Sequence, residues 1–410
     1  MNAILLTQNQ GVILGPIAKL LGIIINFIFN ILDKLGVPNV GLSIILFTIF
    51  IYLLLLPLTF KQQKFSKLSA VMNPEIRAIQ EKYKGKSDNE TTIKMNEEMQ
   101  AVYRKYGVSP TGSCVQLIIQ MPILFALYRV IYNIPAYVTK VYDSLSPLAD
   151  EILQQNGYEE FIKGLNSAKM FAKSDFTLAN TIIDVLNRAT GDEWNAIAAQ
   201  FPSVTDTLEK AHTQFLTYYS FGVINIADSP QTLLNSGWED KNFLLMIGAL
   251  LVPVFAALTQ WLNVLFMPQA AGASNDPNDS VASSMKTMNI MMPLMSAVFC
   301  FTLPAGMGLY WIASAVVRCI QQIFINKYFD SKGIDSIIAD NMKKAEKKEK
   351  KRQEIIEKTS KSSGNGSYSN KANFSKIKNL ESVDRSQGGQ MGSLAQKANL
   401  VKKYNENNND

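Results

Sequence analysis

Two arginines, Arg318 and Arg129, stand inside or at the edge of long apolar stretches of this 410-residue chain. A guanidinium in an apolar segment costs about 2.5–3.5 kcal/mol on insertion scales, so by default it marks a function, such as holding an anionic group. The same stretches carry uncharged hydrogen-bonding side chains: Thr48, Gln116, Gln120, Gln260, Asn263, Ser314 and Gln321. Each of these equally suits an ordinary hydrogen bond between helices. Other chemistry has little material. His212 sits in a polar loop stretch, where a surface position is expected, and Cys114, Cys300 and Cys319 have neither metal-ligand spacing nor a disulfide framework. The sequence offers no Ser/His/Asp set, glycine-rich phosphate loop or metal cluster, so no catalytic residue, metal or cofactor is expected.

The elements that must position these residues are set by charge. The chain is 47% hydrophobic and 18% charged, but the two are segregated. No charge falls between Lys34 and Lys61, Lys105 and Arg129, Lys241 and Asp276, or Lys286 and Arg318. A bilayer core roughly 30 Å thick takes about 20 apolar residues in a helix, so each window holds at least one span. Spans are expected at 41–60, 113–133 and 242–266. The last window is too long for one span, and Pro304-Ala305-Gly306 is a turn signal within it. It therefore divides into spans at 289–303 and 305–326. The expected fold class is an all-α polytopic membrane protein with a five-span core.

Lys and Arg set the orientation. The connector 61–112 carries ten basic and six acidic residues, and the tail 327–410 is basic through Lys343-Lys344, Lys347-Lys348 and Lys350-Lys351-Arg352. The loop 134–241 carries seven basic and fourteen acidic residues. Five spans place the connector and the tail on one side, and both are basic. The N-terminus is then external and the C-terminus cytoplasmic.

Within the external N-terminus (1–40), Lys19, Gly22, Asn26, Asn30 and Asp33 recur every three or four residues, one polar stripe on an otherwise apolar helix. Such a helix suits the outer interface. A sixth span or a signal peptide is the alternative, and the lack of a small-residue cleavage site counts against the latter. In the connector, Phe65, Leu68, Met72, Ile76, Ile79 and Tyr83 mark one helix face and Met95, Met99, Val102 and Tyr106 another. Lys84–Asn89 forms a turn between them. These arms form a cytoplasmic helical hairpin. The external loop 134–241 is long enough for a small helical subdomain, 267–288 reads as a flexible loop, and the tail reads as a short charged helix followed by disorder. Its basic residues suit the ribosome or anionic membrane lipids.

Three stretches together resemble the YidC family of membrane protein insertases in its Gram-positive form. They are PLTFKQQKFSKLSAVMNPEIRAIQEKYK from Pro57, QLIIQMPILFALYRVI from Gln116, and MMPLMSAVFCFTLPAGMGLYWIASAVVRCIQQ from Met291. The resemblance implies a five-helix core around a hydrophilic groove open to the cytoplasm and to lipid, through which a nascent protein's polar segment enters and then slides into the bilayer. It implies nascent membrane proteins as substrates, the Sec translocon as a partner, no enzyme activity, and a bacterial plasma membrane location. The polar residues named above, with Arg318 and Arg129, become candidates to line the groove. Met285, Met288, Met291, Met292 and Met295 could give it an adaptable apolar slide.

Two departures stand out. The family's first-span arginine lies five residues before the proline of the PLT motif, where this chain has Tyr52. By rise per residue, Arg318 lies about 20 Å below the start of its span, near the depth of Tyr52, so it is the candidate replacement. Arg129 lies about a turn from the end of its span and can reach headgroups. The loop 134–241 is also longer than the resemblance implies at that place. A small-anion transporter or channel is the competing function; it predicts an internal repeat that the sequence lacks. A ribosome-recruiting scaffold is a third reading.

Overall fold

The computed structural model describes residues 11–12, 14–85, 88–107, 112–266 and 280–362. Helix α1 (Leu14–Lys34) and helix α2 (Val40–Leu54) are joined by a short turn. Asn39 caps α2, its side chain accepting from the Leu42 N–H at 2.9 Å. The next helix, α3 (Leu56–Lys82), leaves α2 at 61°. The bend has a local cause. Pro57 has no N–H to donate back into α2 but is well tolerated in the first turn of a new helix. The apolar window 41–60 is thus a bent helix pair rather than one rod, and its last residues already belong to the first arm of the hairpin.

Helix α4 (Asn89–Lys105) starts at Asp88, whose carboxylate accepts from the Thr91 N–H at 2.9 Å. Met72 and Ile76 of α3 pack against Val102 of α4 and Tyr106 just beyond it. Leu68 does not join that hairpin core. It packs with Ile325, Phe329 and Ile337, from the far end of the chain.

Helix α5 (Gly112–Tyr132) leads into the subdomain 134–241. Its helices are α6 (Thr139–Ile152), α7 (Tyr158–Gly164), α8 (Ala179–Leu186), α9 (Gly191–Gln200), α10 (Thr205–Tyr219) and α11 (Pro230–Glu239). A short hairpin with two-residue strands, β1 (Ser220–Phe221) and β2 (Ile224–Asn225), lies between the last two and was not expected. Leu148, Val185, Trp194 and Phe215 are buried at the subdomain's centre. His212, expected at the surface, stacks on Trp194 at 4.6 Å and is half-buried.

Helices α12 (Phe243–Phe266), α13 (Ser280–Thr302) and α14 (Ala305–Lys332) complete the bundle. Pro304 separates the last two. Helix α13 begins within the stretch expected as a flexible loop; the rest of that loop, 267–279, lies outside the described residues. Helix α15 (Ile334–Ser362) follows Gly333, and its Lys/Glu-rich part from Lys344 belongs to a separate compact unit. The expected disorder beyond 362 also falls outside the described residues.

Among the described residues, α1, α12 and α14 are long and apolar enough to cross a membrane, and the bent pair α2–α3 makes a fourth candidate. In α13 the apolar part is Ile290–Thr302. Helix α14 packs against α2 and α12, and α12 lies against α13. Helix α5 packs against α1 and α3 and only lightly against α14. Leu250, Val254, Phe255 and Leu258 on α12 are exposed, as are Ile290, Leu294 and Val298 on α13. An exposed apolar belt of this length has a stable environment only in lipid.

Helix α1 is apolar on two faces. Ala18, Leu21, Ile25 and Phe29 are buried, while Leu20, Ile23, Phe27 and Ile31 are exposed. Its polar stripe meets the subdomain. Asn26 accepts from the Thr139 N–H at 3.2 Å, and Asp33 pairs with Lys140. A Cβ on Gly22 would fall 2.2 Å from Tyr137, so only glycine permits this approach.

Candidate functional site: a polar face shared by four helices

Helix α14 presents Tyr310, Ser314 and Arg318 at four-residue steps, a single face two turns long. Arg318 sits about 20 Å from the start of the helix. Its Nε donates to the Ser314 carbonyl at 3.3 Å and its Nη2 to Gln260 Oε1, on α12, at 3.2 Å. The guanidinium carbon lies 6.0 Å from the centroid of the Tyr52 ring, on α2, at the limit of a cation–π contact. Gln120, on α5, donates to the Tyr310 hydroxyl at 3.4 Å. Four helices therefore contribute to one polar face. Arg318, Gln260 and Gln120 are half-buried on it, while Tyr52 and Tyr310 are buried.

The remaining candidates have other tasks. Thr48 is 0% exposed and donates to the Ile44 carbonyl within its own helix at 2.7 Å. Ser314 does the same toward Trp311 at 2.9 Å. Asn263 joins α12 to α14 by donating to the Ala315 carbonyl at 2.8 Å. Gln321 donates to the Tyr52 carbonyl at 2.9 Å. That carbonyl would serve Leu56 in an unbroken helix, so the glutamine satisfies an acceptor freed by the bend. Arg129 is exposed near the end of α5. The side chains of Gln116, Cys114, Met285 and Met288 lie outside the described residues. Met291, Met292 and Met295 are exposed on α13, and Met292 Sδ lies 3.4 Å from Gln260 Nε2.

Tyr310 escaped the sequence reading, although its two-turn spacing from Arg318 was a usable signal. The amides at the hairpin end escaped it too. Gln63 of α3 donates to Gln322, which in turn donates to the Phe266 carbonyl at 2.8 Å. The side-chain oxygens of Gln63, Gln321 and Asn326 are buried with no partner among the described residues. Unsatisfied buried acceptors cost about 1–3 kcal/mol each unless water or a bound group reaches them.

At the opposite end the subdomain covers the bundle. Ala305 and Gly306, at the start of α14, donate to the carbonyls of Asp228 and Ile226 at 2.8 and 2.9 Å. Arg188 lies on the Tyr132 ring, 3.6 Å from its centroid, and donates to the Tyr132 carbonyl at 3.2 Å. Burial pushes the Asp184 carboxyl up to about 7 despite the attraction of Arg188. Burial, aided by the negative charge of Glu193, does the same to Asp228.

An all-α chain with a lipid-facing apolar belt and an arginine held mid-helix on a half-buried polar face is a multi-pass membrane protein. Residues 31–332 match the family described as 60Kd inner membrane protein, and the chain belongs to that family. Its relatives bear out the resemblance to YidC insertases. It is 45% identical over 103 residues to the membrane protein insertase MisCA of Bacillus subtilis, covering 25% of this chain and 39% of that protein. It is 27% identical over 318 residues to the membrane protein insertase YidC of Tropheryma whipplei, covering 76% and 82%. It is 24% identical over 327 residues to the ALBINO3-like protein 1, chloroplastic, of Arabidopsis thaliana, covering 80% and 51%. In the Bacillus relative and a Streptococcus pyogenes insertase, the matched stretch spans only 39% and 34% of the relative's length.

Proposed function

We propose that the chain is a membrane protein insertase and that the polar face of α2, α5, α12 and α14 is its substrate path. The observation that carries this reading is Arg318. It is held at mid-helix by Gln260 and Ser314, next to Tyr52, the position where the resemblance implies an arginine. A polar segment entering hydrocarbon leaves hydrogen-bonding groups unpaired at several kcal/mol each. A half-buried guanidinium with tyrosine and amide neighbours offers such groups partners, and it attracts a carboxylate most strongly because the local dielectric is low. Light packing of α5 on α14 lets a segment pass sideways into lipid. The amide side chains gathered at the hairpin end, Gln63, Gln321 and Gln322, support entry from that side.

In this reading α2 with the first turn of α3, α5, α12, α13 and α14 form the five spans. The basic hairpin and tail face the cytoplasm of a bacterium, and the acidic subdomain lies outside. The tie of α1's polar stripe to that subdomain, with apolar residues outward, supports a place in the outer interface. Nascent membrane proteins are the substrates, alone or beside the Sec translocon; the lysines of α15 suit ribosomal RNA or anionic lipids.

The test is insertion of a single-span protein with an acidic external tail into liposomes holding only this chain, read by protease protection of the tail. Protection above empty liposomes, reduced at least tenfold by Arg318→Ala and largely retained by Arg318→Lys, is expected. Full protection with Arg318→Ala would remove Arg318 from the path. Protection no higher than in empty liposomes would count against insertion by the chain alone.

A further inference from the structure

Every bundle helix that carries a residue of the polar face is tied, at the end away from the hairpin, to the subdomain 134–241. On α2, Asn39 donates to the Ser220 carbonyl at 2.6 Å. On α14, the first two free N–H groups are capped by the carbonyls of Asp228 and Ile226. On α12, the methyl groups of Val223 and Ile224 close on Gly248, where a Cβ would fall 2.5 Å from Val223. On α5, the contact is the Arg188 guanidinium on Tyr132. Beneath these ties is one small cavity, lined by Ile44 of α2, Ile131 and Tyr132 of α5, and Gly306 of α14, with Asn187 and Arg188 as its roof.

We propose that the subdomain is a fixed cap that seals the far end of the polar path, and that Arg188 is the positioning residue locking the cap to α5. The proposal rests on the insertase reading, since only a path that must not open through the membrane needs a seal. Helix α5 is the point where a lock matters. It packs on α1 and α3 but only lightly on α14, where Ile131 beside Gly306 is the near contact at its far end. Capping bonds hold α2 and α14, but α5 ends at Tyr132, and the guanidinium takes both that residue's carbonyl and its ring face. One planar cation making a hydrogen bond and a ring contact is more rigid than either alone. The substrate's polar segment then leaves beside the cap, through the lipid-open side next to α5, rather than through it.

The reporter is Ile44→Cys, a side chain 0% exposed and directly under the roof. The full chain, in vesicles with the subdomain facing out, is treated with a membrane-impermeant maleimide, and the chain lacking the reporter supplies the background. Labelling is expected to be slow with Arg188 in place, at least tenfold faster with Arg188→Ala, and within threefold of the native rate with Arg188→Lys. Tyr132→Leu removes the ring from the other side and must accelerate labelling as well. This keeps the test valid if Arg188→Ala fails to fold. Rapid labelling of the native roof, or slow labelling with both Arg188→Ala and Tyr132→Leu, would overturn the cap. Labelling needs no substrate. Slow labelling of a chain that inserts nothing would keep the seal and sink the insertase reading, whereas fast labelling of a chain that inserts normally would do the reverse.

Discussion

The Arg318 guanidinium donates to the side-chain oxygen of Gln260 at 3.2 Å, joining α14 to α12 beside the polar face. The bond leaves most of the fork uncommitted: Nε reaches only the Ser314 carbonyl at 3.3 Å. A cation held in place, with no carboxylate paired to it among the described residues, keeps its capacity to bind an anion. Gln260→Leu should therefore lower insertion of an acidic tail two- to fivefold by releasing the arginine, while Gln260→Glu should lower it more by neutralising the charge. Protease protection of the tail reads both; equal activity of the two variants would show that charge at this place is irrelevant.

Gln321 stabilises the bend rather than the path. Replacing it by leucine leaves the Tyr52 carbonyl without its partner at 2.9 Å and should cost about 1–3 kcal/mol. A lower unfolding temperature in detergent, with insertion per folded molecule unchanged, is the expected result.

The subdomain should be more stable in acid. Asp184 and Asp228 both have carboxyls raised to about 7 by burial, against an ordinary value of 3.8. The folded form then binds more protons than the unfolded form between about pH 4 and pH 7. Stability is full below pH 4, falls as pH rises through 7 and stays low above it. At pH 8 the shift is worth on the order of 4 kcal/mol for each group. Hydrogen exchange in α8 and α10 should accelerate from pH 5 to 8 beyond its intrinsic rate, and Asp184→Asn should flatten that extra slope.

At the hairpin's base, Gly107 adopts φ +62° against Asn341 of α15, and a Cβ there would meet the Asn341 backbone at 2.9 Å. Asn341 also accepts from Lys64 and donates to the Tyr106 carbonyl at 3.4 Å. Gly107→Ala is both strained and crowded, so it should part α15 from the hairpin. Faster hydrogen exchange at the end of α4 and the start of α15, with α12 unchanged, would report this.

Much of the architecture was legible because its causes are local. The charge-free windows are a matter of composition, and the spacings of Met72, Ile76 and Val102 follow from helix geometry, so both survive without knowledge of neighbours. Leu68 was misplaced for the opposite reason. Its helical spacing was right, but only tertiary packing decided that its partners were Ile325 and Phe329. The polar residues separated in the same way. Nothing in the sequence distinguishes Gln120, which reaches Tyr310, from Gln321, which caps a backbone carbonyl, because a side-chain amide serves either task. Arg188 gave no signal at all, since a lone arginine in an acidic loop reads as surface charge.

The sequence by itself determined that this is a multi-pass helical protein and which family it belongs to. Hydrocarbon accepts only long uncharged helices, and that demand is written directly in residue order. The tertiary structure alone decided which polar groups meet. Arg318, Gln260, Tyr52 and Gln120 come from four helices far apart in the chain, and whether they face one another depends on helix rotation and crossing. Those are settled by the packing of α14 between α2 and α12 and by the ties of the subdomain to the bundle, which no local pattern encodes.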